Sequence, residues 1–265
     1  MTEEPIRVAV LLNSESVNEW QRRVLVSLFE SEEIDANLVT VIINSADTGD
    51  STIRTHLSEL SLWKVLRLFH LLKYQFTGQP WYKKRTVLSD IDFFDDLDKI
   101  YTQPQPTDGL GNELSSEAVE CLDKTDIAVR FGFGIVVGDA LTAPTYGILS
   151  YHHGDLRRYR GRPAGFHEFV RGEPTAGVTV QKLNESLDGG DIAAFREIDI
   201  HDATSWPAVL SRLYEASPDL LPIAVTNCVT GNMQTDPDTG ALYTIPSTRE
   251  TLMYLREKMK RYSDR

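Results

Sequence analysis

Three segments at the start of the chain leave few folds open. Residues 6–13 (IRVAVLLN) and 36–43 (ANLVTVII) are continuous β-branched and apolar runs, not alternating ones. A strand that is apolar on both sides has to be covered on both sides, as in a parallel sheet held between helices. Between them, residues 18–30 (NEWQRRVLVSLFE) carry Trp20, Val24, Leu25 and Leu28 at helical spacing. Strand, helix and strand in this order begin an open α/β sheet.

The pattern resumes after residue 126. Residues 126–131 (DIAVRF), 147–151 (GILSY), 177–183 (GVTVQKL) and 191–198 (DIAAFREI) read as further strands. Helices are expected at 138–142, 162–171, 205–225 and 248–262, and a small strand at 240–245. Residues 57–74 place Leu60, Trp63, Leu66, Phe69 and Leu72 at helical period behind a capping Ser51 or Thr52. That stripe reads as core or as the surface of a homodimer, not as a cofactor box. The following stretch holds an acidic block (Asp90, Asp92, Asp95, Asp96, Asp98) and then Pro104, Pro106 and Gly109. It reads as an insertion lying over the sheet edge.

Charge and cysteine content narrow the partners. The 265 residues carry 39 Asp and Glu against 27 Lys and Arg, a net charge of −12. That field repels nucleic acid. No apolar run reaches the ~18 residues a membrane helix needs; the longest, 127–143, is broken by Arg130, Asp139 and glycines. The first residues lack a basic leader pattern, so no signal peptide is read. Cys121 and Cys228 form neither a disulfide framework nor a zinc pattern, which fits a reducing, cytoplasmic setting.

Residues 150–191 are dense in polar groups placed just beyond strands, where an open α/β sheet puts its ligand site. His152 and His153 are adjacent, and neighbours on an extended chain point to opposite faces, so no metal site is expected there. Gly132-Phe133-Gly134 lacks the third glycine and helix cap of a dinucleotide fingerprint. Arg157, Arg158, Arg160 and Arg162 are four arginines in six residues. They read either as a solvated loop paired with surface carboxylates or as a clamp for phosphate or carboxylate.

SYHHGDLRRYRG followed by GEPTAGVTVQKLNESLDGGDI resembles the signature of formyltransferases that use 10-formyltetrahydrofolate. In that family an Asn-x-His at a strand end precedes a Tyr-Arg-Gly turn, a helix, Gly-Val-Thr and Asp-x-Gly. The resemblance covers residues 126–198 and is only generic over 1–45. It implies an α/β fold with a mainly parallel sheet and helices on both faces. On this reading residues 1–204 form the catalytic domain, with an insertion at about 55–111, and 205–265 form a short helical extension.

The resemblance also implies roles. His152 and Asp188 match the catalytic pair, and Ser150 stands where the family has asparagine. Phe133, Gly134 and Ile135, with Leu187, Gly189 and Gly190, match the segments that hold the pterin. Arg158, Arg162 and His153 are candidates for binding an anionic substrate. The implied reaction moves a formyl group from 10-formyltetrahydrofolate to a primary amine. An attacking amine leaves negative charge on the formyl oxygen, which needs hydrogen-bond donors aimed at it. A serine is shorter than asparagine and offers one O–H, so a bridging water or a neighbour, His153 or Tyr151, is expected to help. A nucleotide-linked amino sugar is the first choice of acceptor. The methionyl-tRNA enzymes carry a further β-barrel for RNA, which the helical extension and the net charge speak against. A methionyl-tRNA formyltransferase-like enzyme, a folate- or nucleotide-sugar-binding module impaired by Ser150, and a hydrolase that passes the formyl group to water are the alternatives.

Overall fold

The computed structural model describes residues 4–46, 61–95, 97–186, 188–235 and 240–263. Its main sheet has seven strands: β1 (Ile6–Leu12), β2 (Ala36–Asn44), β3 (Lys99–Thr102), β4 (Ile127–Arg130), β5 (Ile148–His152), β6 (Thr175–Lys182) and β7 (Asp191–Asp199). Their spatial order is β7-β6-β5-β4-β1-β2-β3. The five strands from β3 to β5 are mutually parallel. Only β6 is reversed, antiparallel to both β5 and β7. The chain order turns back between β1 and β4, the kind of switch point at which α/β sheets open a crevice.

Helices cover both faces, as expected. They are α1 (Glu19–Phe29), α2 (Leu62–Thr77), α3 (Ser116–Leu122), α4 (Phe166–Val170), α5 (Trp206–Glu215), α6 (Leu220–Thr230) and α7 (Thr248–Ser263). Alternation along the strands sends Val8, Val10, Leu12, Val129, Leu149, Val178 and Val180 to one face, into one buried cluster with Val24, Leu28, Val209, Leu213, Leu221 and Tyr254. Ala9, Leu11, Ala128 and Ile148 go to the other, with Ala118, Leu122, Phe133 and Ala140. Residues beyond 204 thus pack into the same core as the strands. Among the described residues no helix is long and apolar enough to cross a membrane.

Local chemistry sets the element ends. The Asn18 N–H at the start of α1 donates to the Gln21 side chain at 2.7 Å, meeting one of the groups a helix start leaves unpaired. Helix α2 starts at Leu62 behind Ser61, whose hydroxyl accepts from the Lys64 N–H; Ser51, Thr52 and residues 57–60 lie outside the described residues. Only Trp63 of α2 is buried, while Phe69 and Phe76 are exposed.

Three expectations change. Residues 99–102 do not lie over the sheet edge; they extend it, pairing in parallel with β2. The helix expected over 205–225 is two helices, because Pro218 cannot continue the hydrogen-bond ladder. The helix expected over 162–171 shrinks to α4, since Pro163 and Gly165, at φ 62°, hold the chain out of helical geometry before it. The small strand survives as Ala241–Tyr243, paired in parallel with Tyr159–Gly161.

All five residues of α4 are buried, Glu168 included. One of its carboxyl oxygens has no hydrogen-bond partner, and burial raises its pKa from 4.5 to about 7. The folded state therefore holds this proton where the unfolded chain releases it, and stability falls as pH rises from 4.5 to about 7. Glu168→Gln removes that loss. Its melting temperature should exceed the wild type's at ~pH 8 and match it near ~pH 4; an unchanged difference across that range would exclude Glu168 as the source.

Candidate active site

Register brings the polar residues together. Arg130 on β4 lies beside Ser150 on β5. Across the antiparallel pairing, Ser150 lies opposite Gln181 and His152 opposite Thr179. Arg130, Ser150 and His152 share the face of Ala128 and Ile148 by two-residue alternation, so a polar row continues the apolar face past the point where the helices cover it.

The row is tied by hydrogen bonds. His152 Nε2 donates to the Tyr159 carbonyl at 2.9 Å; a carbonyl only accepts, so Nε2 carries the proton. Nδ1 then faces Asp188 Oδ1 at 3.7 Å, too long for a hydrogen bond. The other Asp188 oxygen accepts the Gly161 N–H at 3.0 Å, and Gln181 donates to Oδ1 at 3.4 Å. The Gln181 side-chain oxygen Oε1 accepts the Gly190 N–H at 3.2 Å. A Cβ on Gly190 would collide with the Lys182 carbonyl, so this turn needs glycine. Thr179 donates to the Gly154 carbonyl at 2.8 Å and fixes the bend after the histidines.

Ser150 is buried, and its Oγ accepts from Arg130 Nη2 at 3.0 Å and Nε at 3.3 Å. The third guanidinium nitrogen donates to the Gly132 carbonyl at 3.3 Å. Burial lowers the Arg130 pKa and the Asp188 carboxylate pushes back. The neighbour that meets Ser150 is therefore Arg130, not the expected His153 or Tyr151. Those two face the opposite side: the Tyr151 hydroxyl donates to the Ser217 carbonyl and His153 Nε2 pairs with the Ser217 hydroxyl. The sequence signal for Arg130 is a lone charge at the end of a buried strand, legible as an interruption but not as a partner of Ser150.

Among the described residues only two non-glycine residues have positive φ, Phe133 at 68° and Asp188 at 47°. Both belong to the site segments, and strained backbone of this kind concentrates at functional sites. The Phe133 ring is buried in the apolar cluster, and its N–H donates to the Asn13 side chain at 2.8 Å. Asn112 bonds the Phe133 and Ile135 carbonyls, which leaves exposed Gly134 as this loop's open edge. Leu187 lies outside the described residues; Gly189 and Gly190 flank Asp188 on its far side.

A cavity of about 200 Å³ opens at the ends of β4 and β5, bounded by Trp20, Arg130, Gly132, Gly134, Ser150 and His153. It is smaller than the ~300–1,000 Å³ pockets that enclose drug-sized ligands. Two larger cavities, of about 350 and 360 Å³, lie around Gly138. His152 and Asp188 line none of these three; His152 lines a small neighbouring pocket with Tyr159, Arg160, Gly161 and Arg162. The arginine run divides. Arg157 pairs with Asp155 at 2.7 Å and Arg158 with Glu173 at 2.8 Å, as in the solvated-loop reading. Arg162 is exposed, and Arg160 Nε is buried without a hydrogen-bond partner.

Residues 109–225 match the family described as Formyl transferase. The methionyl-tRNA formyltransferase of Pseudoalteromonas translucida (strain TAC 125) is 24% identical over 196 residues, 64% of this chain. The chain spans 61% of the length of that relative. Glycinamide ribonucleotide transformylase 1 from Symbiobacterium toebii has a similar fold, with a TM-score of 0.55 at 16% identity over 91% of this chain and 96% of that one. So does the N-formyltransferase from Helicobacter canadensis, solved with folinic acid and dTDP-3-aminofucose, with a TM-score of 0.57 at 12% identity over 97% of this chain and 82% of that one.

His153 sits among Trp20, Tyr151 and Tyr214. Burial lowers its pKa from 6.5 to about 3. Between those values the unfolded chain takes up a proton that the folded state refuses, so stability is lost as pH falls through that window. His153→Phe keeps the ring and removes the titration. Its melting temperature should fall less than the wild type's over that range, and parallel pH profiles would contradict the assignment.

Proposed function

We propose that this chain, a member of the formyltransferase superfamily, transfers a formyl group from 10-formyltetrahydrofolate to a primary amine. The observation that carries this reading is the meeting of His152 and Asp188 at the cavity end of the sheet. Asp188 is held by the turn at Gly161 and by Gln181, so motif pieces separated in sequence converge on one point.

The residues suit the reaction. The donor supplies an activated formyl carbon; Gly134 and the Gly189–Gly190 turn are the backbone edges that would hold its pterin. The amine must lose a proton as it attacks. His152 Nδ1 is the ring atom left to take it, because Nε2 is committed to the Tyr159 carbonyl. Asp188 stabilises the resulting imidazolium and orients the ring. Neither role needs a metal ligand from the chain.

A nucleotide-linked amino sugar is the acceptor we favour. The support is an exposed cation, Arg162, which lines a small pocket with His152 in a protein that is otherwise acidic. Arg158 is the weaker candidate, because Glu173 already engages it. Incubation with 10-formyltetrahydrofolate and a panel of amines, including nucleotide-linked amino sugars, should give a product heavier by one formyl group. His152→Ala and Asp188→Asn should each lower transfer by ~10²-fold or more with unchanged circular dichroism. Wild-type turnover in either variant would remove that residue from the chemistry. Binding of folinic acid without transfer to any amine would favour a binding module.

A further inference from the structure

Negative charge that develops on the formyl oxygen needs a donor already in place, and the cavity at the ends of β4 and β5 contains a cation with donors to spare. Arg130 is partly buried, and its partners, the Ser150 hydroxyl and the Gly132 carbonyl, are both neutral. No carboxylate forms an ion pair with it among the described residues. A guanidinium carries five N–H groups, and these contacts engage one on each nitrogen. One N–H on each of the two terminal nitrogens is left over.

Ser150 is oriented by the same contact. Its oxygen accepts twice from Arg130, which fills both lone pairs, so its single O–H is free to donate elsewhere. Arg130 and Ser150 both line the cavity, in register on adjacent strands. His152 lies two residues further along β5 on the same face, with Asp188 beyond it.

We infer that Arg130 is a catalytic residue of this chain: its guanidinium, with the Ser150 hydroxyl that it orients, is the donor pair for the formyl oxygen in the transition state. The inference rests on the transfer reading above. In the step it serves, the amine nitrogen bonds to the formyl carbon and the carbonyl π pair moves onto oxygen, facing Arg130 and Ser150. The C=O bond then re-forms, the bond from carbon to the folate nitrogen breaks, and that nitrogen takes up a proton equivalent to the one the amine has lost. A guanidinium here is charged throughout and is fixed by three contacts before substrate arrives, so it needs no reorganisation during the reaction. Serine in place of asparagine is then part of a rearranged donor set, because a longer amide at position 150 would occupy the space that the guanidinium fills.

The test uses hydroxylamine as acceptor, a small uncharged amine that needs no sugar or phosphate contact, with 10-formyltetrahydrofolate as donor. Calorimetry of folinic acid binding runs in parallel. Arg130→Met should lower kcat by ~10²–10³-fold while leaving the hydroxylamine KM and the folinic acid Kd within about threefold. Adding Ser150→Asn to that variant should recover at least about tenfold in kcat, because the amide restores a donor at the vacated position. If Arg130→Met fails to fold, Arg130→Lys carries the test: it keeps the charge, loses the planar fork and should cost about tenfold in kcat. Wild-type kcat in the folded variant, or a loss confined to KM or Kd, would overturn the inference and make Arg130 a structural or ligand-anchoring group. A wild-type protein that binds folinic acid but moves no formyl group would overturn the transfer reading and this inference together, whereas an active wild type with an indifferent Arg130→Met would sink only the inference.

Discussion

The antiparallel pairing of β5 with β6 is the constraint on which the site depends. Every other pair from β3 to β5 is parallel, and parallel strands send their ends to the same side of the sheet. Reversal of β6 returns the chain alongside β5, with Thr179 opposite His152 and Gln181 opposite Ser150. The connection from β6 to β7 leaves beside Leu149, at the start of β5, and Asp188 on it reaches back along the sheet to His152 Nδ1 at 3.7 Å. A shift of one residue in this register would turn Thr179 and Gln181 to the other face and leave Asp188 without its Gln181 contact.

The same strand end shows how two adjacent histidines acquire different chemistry. His152 faces the polar row and keeps one ring nitrogen uncommitted toward Asp188. One residue later, His153 faces the aromatic cluster, where burial holds it neutral far below ordinary histidine pH values. Nothing in the side chain differs; alternation along the strand places one in the polar row beside Asp188 and the other in aromatic packing.

The central strands were legible because burial on both faces writes itself as an unbroken apolar run, as in IRVAVLL and ANLVTVII. The edge strand Lys99–Thr102 was not, because four residues with one exposed side carry no such run. The split between α5 and α6 was written in Pro218, but the apolar spacing on either side outweighed it. At the candidate site, His152, Asp188 and the turns around them could be reached through the family resemblance. Arg130 could not, since what gives it meaning is Ser150 twenty residues away, and strand register is a property of the fold and not of any local pattern. The arginine run shows the reverse case: a conspicuous pattern, half of which is satisfied by Asp155 and Glu173.

The left-handed backbone at Phe133 and Asp188 has a consequence for how the molecule opens. Each position holds a side chain where the chain would be relaxed only with glycine, at roughly 1–2 kcal/mol per residue. That energy is held in the two loops, while the strands they follow, β4 and β6, are paired on both sides within the sheet. Local opening is therefore cheaper for the loops than for the sheet, and their amides exchange with solvent through small excursions that leave the strands intact. A ligand that bridges Gly134 and the Gly189–Gly190 turn closes those excursions directly. Loop amides slow first as such a ligand binds, and strand amides, limited by global unfolding, respond only through the added stability of the whole molecule.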